Sequence, residues 1–212
     1  MTWNTVVSRG KAGLRKIQFN SPVIISFALL SFAALILGKM TGGATNRWLF
    51  SVYPSSWADP LAYLRLFGHA LGHVSLAHYG GNFMMILLVG PALEEKYGGK
   101  KLVSMIVLTA FIEGLILTLF GPRPGMVLGA SGVAFMMILL SSFVNFQAGR
   151  IPLTLILVVI VFLGQEFWLG ATDALGVTET HVSHISHIVG GLCGAIFGYL
   201  LQRQRKSPGT AS

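Results

Sequence analysis

Six apolar windows, each near the roughly 20 residues an α-helix needs to cross a hydrocarbon core, take up most of this chain: 22–40, 75–93, 102–120, 132–146, 151–170 and 185–201. In lipid every backbone N–H and C=O must be satisfied internally, which leaves helices or closed barrels. Barrel strands need only about 9–11 residues, so windows of this length specify an all-α polytopic membrane protein, six transmembrane helices in one compact bundle. Composition agrees: 53% of the 212 residues are hydrophobic and 10% are charged, against roughly 25% charged in a soluble domain. The fourth window is the shortest, as expected of a helix that starts below the membrane surface after an inward-dipping loop.

The length suits a single unit: a basic N-terminal segment (1–21), the helical core (22–203) and a polar tail (204–212) expected to be disordered. The net charge of +8 would suggest nucleic acid in a soluble protein. Here the basic residues read as topology signals, and no nucleic-acid partner is expected. With the N-terminus inside, eleven Lys and Arg, from Arg9 to Lys206, fall on the cytoplasmic side, and Lys39, Arg47, Arg65 and Arg123 on or near the other. This bias places both termini in the cytoplasm, and a small chain without a long targeting extension is expected in a cell inner membrane. The segment 41–72 is long and rich in aromatics, such as Trp48, Trp57 and Phe67, which suits a loop resting in the interface. Cys193 is the only cysteine, so there is no intramolecular disulfide and no Cys-based zinc site.

Strongly polar groups inside spans are expensive and mark function by default. Here they are few: His78 and Asn82 in span two, Glu113 in span three, Ser131 opening span four, His184 and His187 opening span six. His78 and Asn82, four apart, share a helix face. With alternate spans antiparallel, spans two, four and six all begin at the outer leaflet, which brings His78, Asn82, Ser131 and His187 to similar depth. A serine becomes a useful nucleophile when a neighbouring base takes its proton, and His187 can be that base if spans four and six pack closely. Gly190, Gly194 and Gly198 form a small-residue stripe that permits such an approach. Acyl transfer also needs donors aimed at the developing oxyanion: the Asn82 amide, the His78 ring and the backbone N–H of Ser131 at a helix start are candidates. Gly129 and Gly132 allow the sharp turn around Ser131. No acid stands out as a third triad member, so the expectation is a Ser131–His187 dyad. Glu113 is expected away from the outer mouth as a neutral carboxyl, His69 and His73 are expected to bond loop backbone, and His184 is a competing base. Glu94 is expected to tie the inner loop to Lys96 or Lys100.

These residues resemble the rhomboid family of intramembrane serine proteases, in its minimal six-span prokaryotic form. "RLFGHALGHVSLAHYGGN" is similar to the family's first-loop arginine, here Arg65, followed by a His-rich entry to the second helix with His78 and Asn82 in the oxyanion positions. "GPALEEKYGGKKL" resembles the inner turn, with Glu94 matching a structural glutamate. "GASG" is similar to the nucleophile motif at Ser131, and "HISHIVGGLCG" to the histidine and glycine stripe, His187, Gly190 and Gly194, of the sixth helix. The resemblance implies cleavage of transmembrane protein substrates within the lipid bilayer, near their outer ends. It implies a site open to the extracytoplasmic side and no metal or cofactor.

Three other classes compete. A zinc protease would need His-Glu-x-x-His, but Ala70 follows His69. A proton-coupled transporter would show inverted repeats, and none is evident. A catalytically silent rhomboid-like binder of membrane clients would lack the nucleophile or the base, and both are present. The loop 165–184 is a candidate gate over the site.

Overall fold

A computed structural model describes residues 20–121, 123, 125–143, 153, 156–161, 164, 168 and 184–206. The helices with described bounds are α1 (Pro22–Met40), α2 (Ala44–Trp48), α3 (Pro60–Gly68), α4 (Leu76–Tyr97), α5 (Gly99–Phe120), α6 (Ser131–Ser141) and α7 (His184–Lys206). Four of them, α1, α4, α5 and α7, are long and apolar enough to cross a membrane, and α6 is a shorter apolar helix. The chain is thus an all-helical, multi-pass membrane protein. The fifth expected span lies mostly outside the described residues.

Each start has a local cause. α1 opens with Pro22, whose missing N–H costs nothing there, but Ser21 makes no side-chain cap. The cap comes from α4 instead: Glu94 Oε1 accepts from Val23 N (3.0 Å) and Oε2 from Ile24 N (3.1 Å). Glu94 therefore does not act through Lys96 or Lys100, as expected from its neighbours in sequence. A carboxylate at the positively polarised N-terminus of a helix is the stronger arrangement. Asp59 caps α3 through Leu61 N, and Ser75 caps α4 through His78 N. Gly98, at φ +84°, ends α4 and starts α5, so these helices run antiparallel across a tight turn.

Side-chain size sets the packing. On α7 the glycine stripe faces α6: a Cβ at Gly190 would overlap the Gly132 carbonyl, one at Gly194 the Met136 carbonyl, and one at Gly198 the Phe143 ring. The order of these contacts makes α6 and α7 parallel neighbours, and theirs is the most extensive helix pairing among the described residues. Met136 and Met137 are fully buried and are core filler rather than lipid-facing. On α5, Gly114 lies against the backbone of Leu66 and lets α3 pack close. Outward-facing Leu29, Leu88 and Leu192 are among many exposed large apolar side chains, the pattern of a bundle solvated by lipid.

The segment between α1 and α4 contains two short helices, α2 and α3, rather than unbroken loop. Arg65, 2% exposed, ties it together. It pairs with Asp59, donates to Trp48 O (3.5 Å) and Ser55 Oγ (3.4 Å), and lies 4.6 Å over the Tyr53 ring. The Arg65 hydrogen bond, followed by that of the Leu61 amide, holds the Asp59 carboxyl below the usual carboxylate range. Val52, inside this segment, makes a backbone bridge with Val127 just before α6 (2.8 and 2.9 Å).

Candidate active site

The turn that delivers Ser131 is held from three sides. Gly129 has φ +140°, a conformation open to glycine, and its N–H donates to His69 O (2.9 Å). A Cβ at Gly129 would stand 2.9 Å from His78 Nε2 and 3.5 Å from Asn82 Nδ2. The two α4 side chains expected to face an oxyanion thus converge on the main chain two residues before Ser131. Next, Ala130 N donates to His73 Nε2 (3.4 Å). Ser131 is then the first residue of α6, which has no side-chain cap, and a helix start leaves its first backbone N–H groups without intrahelical partners.

His73 organises this turn. Leu71 O only accepts, so His73 Nδ1 donates to it (3.2 Å), and Nε2 is left to accept from Asn82 Nδ2 (3.0 Å) and Ala130 N. Burial, then the neighbouring His78, lowers His73 to about 4, and the neutral ring is the form this pattern requires. The expectation that His73 bonds loop backbone holds, and its side-chain bond to Asn82 is an addition. His69, expected to bond loop backbone, is buried and its Nε2 instead bonds a helix carbonyl, Ala110 O on α5 (3.0 Å); desolvation lowers its basicity. The sequence reading missed Asn46 of α2. Its Nδ2 donates to His73 O (3.2 Å), and its side chain fills the space beside Gly38 of α1. A lone Asn in the segment between two spans carries no sequence signal for this role.

His187 approaches from α7. It is 8% exposed, and its ring lies 4.4 Å from that of Phe135. Phe135 is four residues after Ser131 and so lies one turn along on the same face of α6. His187 is also within electrostatic range of His78. Gly190, one turn further along α7, abuts Gly132. Ser131, His187, His78, Asn82, Gly129 and Gly132 therefore share one end of the bundle. His78 Nδ1 is buried and without a hydrogen-bond partner among the described residues.

Three expected residues stand elsewhere or act differently. Glu94 belongs to the opposite end, capping α1. Arg65 reaches the site only indirectly, through the segment that carries Val52. Glu113 is not remote from the mouth: its carboxyl lies directly against Gly132, because α5, antiparallel to α6, brings its later half to the start of α6. His184 starts α7 three residues before His187. Most of the candidate gate 165–184 lies outside the described residues. Among the described residues no group of three or more His, Cys, Asp or Glu is placed to hold a metal ion.

The bundle and this polar cluster define a helical, multi-pass membrane protein with a serine at a helix start and histidines and an asparagine gathered around it. A family model described as Rhomboid domain matches residues 60–204, from the start of α3 nearly to the end of α7. The chain belongs to the rhomboid family, known as intramembrane serine proteases.

Proposed function

We propose that this chain is a serine endopeptidase that hydrolyses peptide bonds in or near the transmembrane segments of membrane-protein substrates, with Ser131 as nucleophile and His187 as general base. The observation that carries this reading is the convergence of His78 and Asn82 on Gly129, with Gly190 of α7 seated on Gly132 on the other side of Ser131. The groups an acyl transfer needs then lie on both sides of one residue.

In the proposed mechanism His187 accepts the Ser131 hydroxyl proton as Oγ attacks the substrate carbonyl. The tetrahedral oxyanion is received by the Ser131 N–H, His78 and Asn82. Asn82 has one amide N–H engaged by His73 and the other available. His187 then passes the proton to the leaving amine as the C–N bond breaks, and water, deprotonated by His187, releases the acyl group and regenerates the serine. His73 holds Asn82 and the turn in place, and it does so as a neutral ring. In the same reading both termini are cytoplasmic, the site opens to the extracytoplasmic side of a cell inner membrane, and residues 22–203 form the protease core.

The test is fluorophosphonate labelling of the purified protein in detergent. Wild-type labelling that is lost in both Ser131→Ala and His187→Ala supports an activated serine dependent on His187. A folded wild type that does not label favours a silent client-binding protein. Proton flux in liposomes that survives Ser131→Ala favours a transporter.

A further inference from the structure

Glu113 is buried to 1% exposure in α5, and its Oε1 has no hydrogen-bond partner among the described residues. A polar group is costly in such a place, so its presence calls for a role. The carboxyl sits where three helices meet. On the α6 side it faces the main chain of Gly132, and the three nearest atoms to a Cβ built there are all from the Glu113 carboxyl. From α7, Cys193 lies within electrostatic range of it and next to the Thr109 hydroxyl, one turn earlier on α5. Gly190 of α7 in turn abuts the Gly132 carbonyl. Gly132 is therefore held against both the Glu113 carboxyl and α7, with no room for a side chain on the Glu113 side.

Two properties of a carboxyl suit that position. It is flat, so it lies close to a helix backbone where the tetrahedral branch of leucine would press against it. Even in the neutral acid its carbonyl oxygen carries partial negative charge beside the first turn of α6, a helix start with no side-chain cap, where such charge is favoured. We infer that Glu113 is a positioning residue of the active site, its carboxyl fixing the depth of Gly132 and so the place of the Ser131 hydroxyl. The inference rests on the reading of Ser131 as nucleophile.

The experiment is fluorophosphonate labelling resolved into the limiting rate (kinact) and the half-saturating concentration (KI), with thermal melting of each variant in detergent. Glu113→Gln keeps the flat shape and one oxygen and is expected within about 3-fold of the wild-type kinact. Glu113→Leu and Glu113→Ala are expected to lose about 10-fold to 100-fold in kinact with KI little changed, because small displacements of a reacting group cost about that much. Gly132→Ala, whose new methyl overlaps the carboxyl, is expected to fall as far. The double variant Glu113→Ala with Gly132→Ala is expected to recover at least several-fold over Gly132→Ala, since the methyl then fills the vacated space.

Wild-type kinact in a folded Glu113→Ala, or a double variant no better than Gly132→Ala, overturns the inference. If Glu113→Ala does not fold, the Gln and Leu variants decide: equal rates in the two overturn it. Absence of Ser131-dependent labelling in the wild type refutes the nucleophile reading itself, whereas loss in Ser131→Ala with full labelling in Glu113→Ala refutes the positioning role alone.

Discussion

Replacing Gly190 with alanine tests whether the approach of α7 to α6 makes the site. The added Cβ would overlap the Gly132 carbonyl and also crowd its carbonyl carbon and Cα. All three are backbone atoms, so no rotamer change relieves the clash. Ordinary non-bonded contact requires about 3.5 Å, and the helices must separate by roughly 1 Å to reach it. Overpacking of this kind costs about 1–3 kcal/mol, and a displacement of that size at a reacting pair costs about 100-fold in rate. Gly80→Ala and Gly81→Ala are the controls: both positions lie in α4 with nothing within 4 Å of a new Cβ, and alanine there gains up to about 1 kcal/mol of helix propensity. Fluorophosphonate labelling rate and melting temperature, measured together, separate the cases. Gly190→Ala is expected to label about 100-fold more slowly and to melt lower, while the α4 variants melt no lower than the wild type. A Gly190→Ala protein that labels and melts like the wild type would refute the argument that this contact aligns His187 with Ser131.

Glu94→Ala removes both acceptors at the start of α1 and is expected to cost about 2 kcal/mol, read as a lower melting temperature; Glu94→Gln, which keeps one acceptor, should recover part of it. Asn46→Leu preserves size but loses the donor to His73 O; a loss of about 1 kcal/mol with slower labelling is expected, and unchanged labelling would place Asn46 outside the site's support. His73 titrates at about 4 against an ordinary 6.5, so between these values the unfolded chain binds more protons. Its contribution, about 3 kcal/mol, is complete above pH 6.5 and is lost as pH falls towards 4. Melting temperature should drop over that window, and a profile flat from pH 7 to 4.5 would contradict the buried neutral ring.

Much of the bundle was legible because lipid imposes it. Spans of about 20 apolar residues leave few alternatives, and the Gly190, Gly194 and Gly198 stripe announced the α6–α7 contact that the structure contains. His78, Asn82 and Ser131 were legible because polar groups in spans stand out against an apolar background. What stayed hidden depends on pairings across distant segments. Glu94 had lysines nearby in sequence, but its partners are the amides of Val23 and Ile24, about seventy residues away. Glu113 was misplaced because its position along α5 gives no sign that its carboxyl faces Gly132. Asn46 and the ring geometry of His73 were invisible for the same reason: a hydrogen bond between a loop side chain and a carbonyl 27 residues later leaves no periodicity.

The bridge between Val52 and Val127 has a consequence for the order in which the protein is made. The turn that carries Ser131 is fastened to Val52, His69 and His73, and all three precede it in the chain. As synthesis proceeds from the N-terminus, the mould is available before the segment it shapes. The glycine-faced helix that carries His187 emerges after this turn. In a nascent chain stopped short of residue 184 His187 is absent, so the proposed nucleophile stays unarmed until the helix that carries it is inserted.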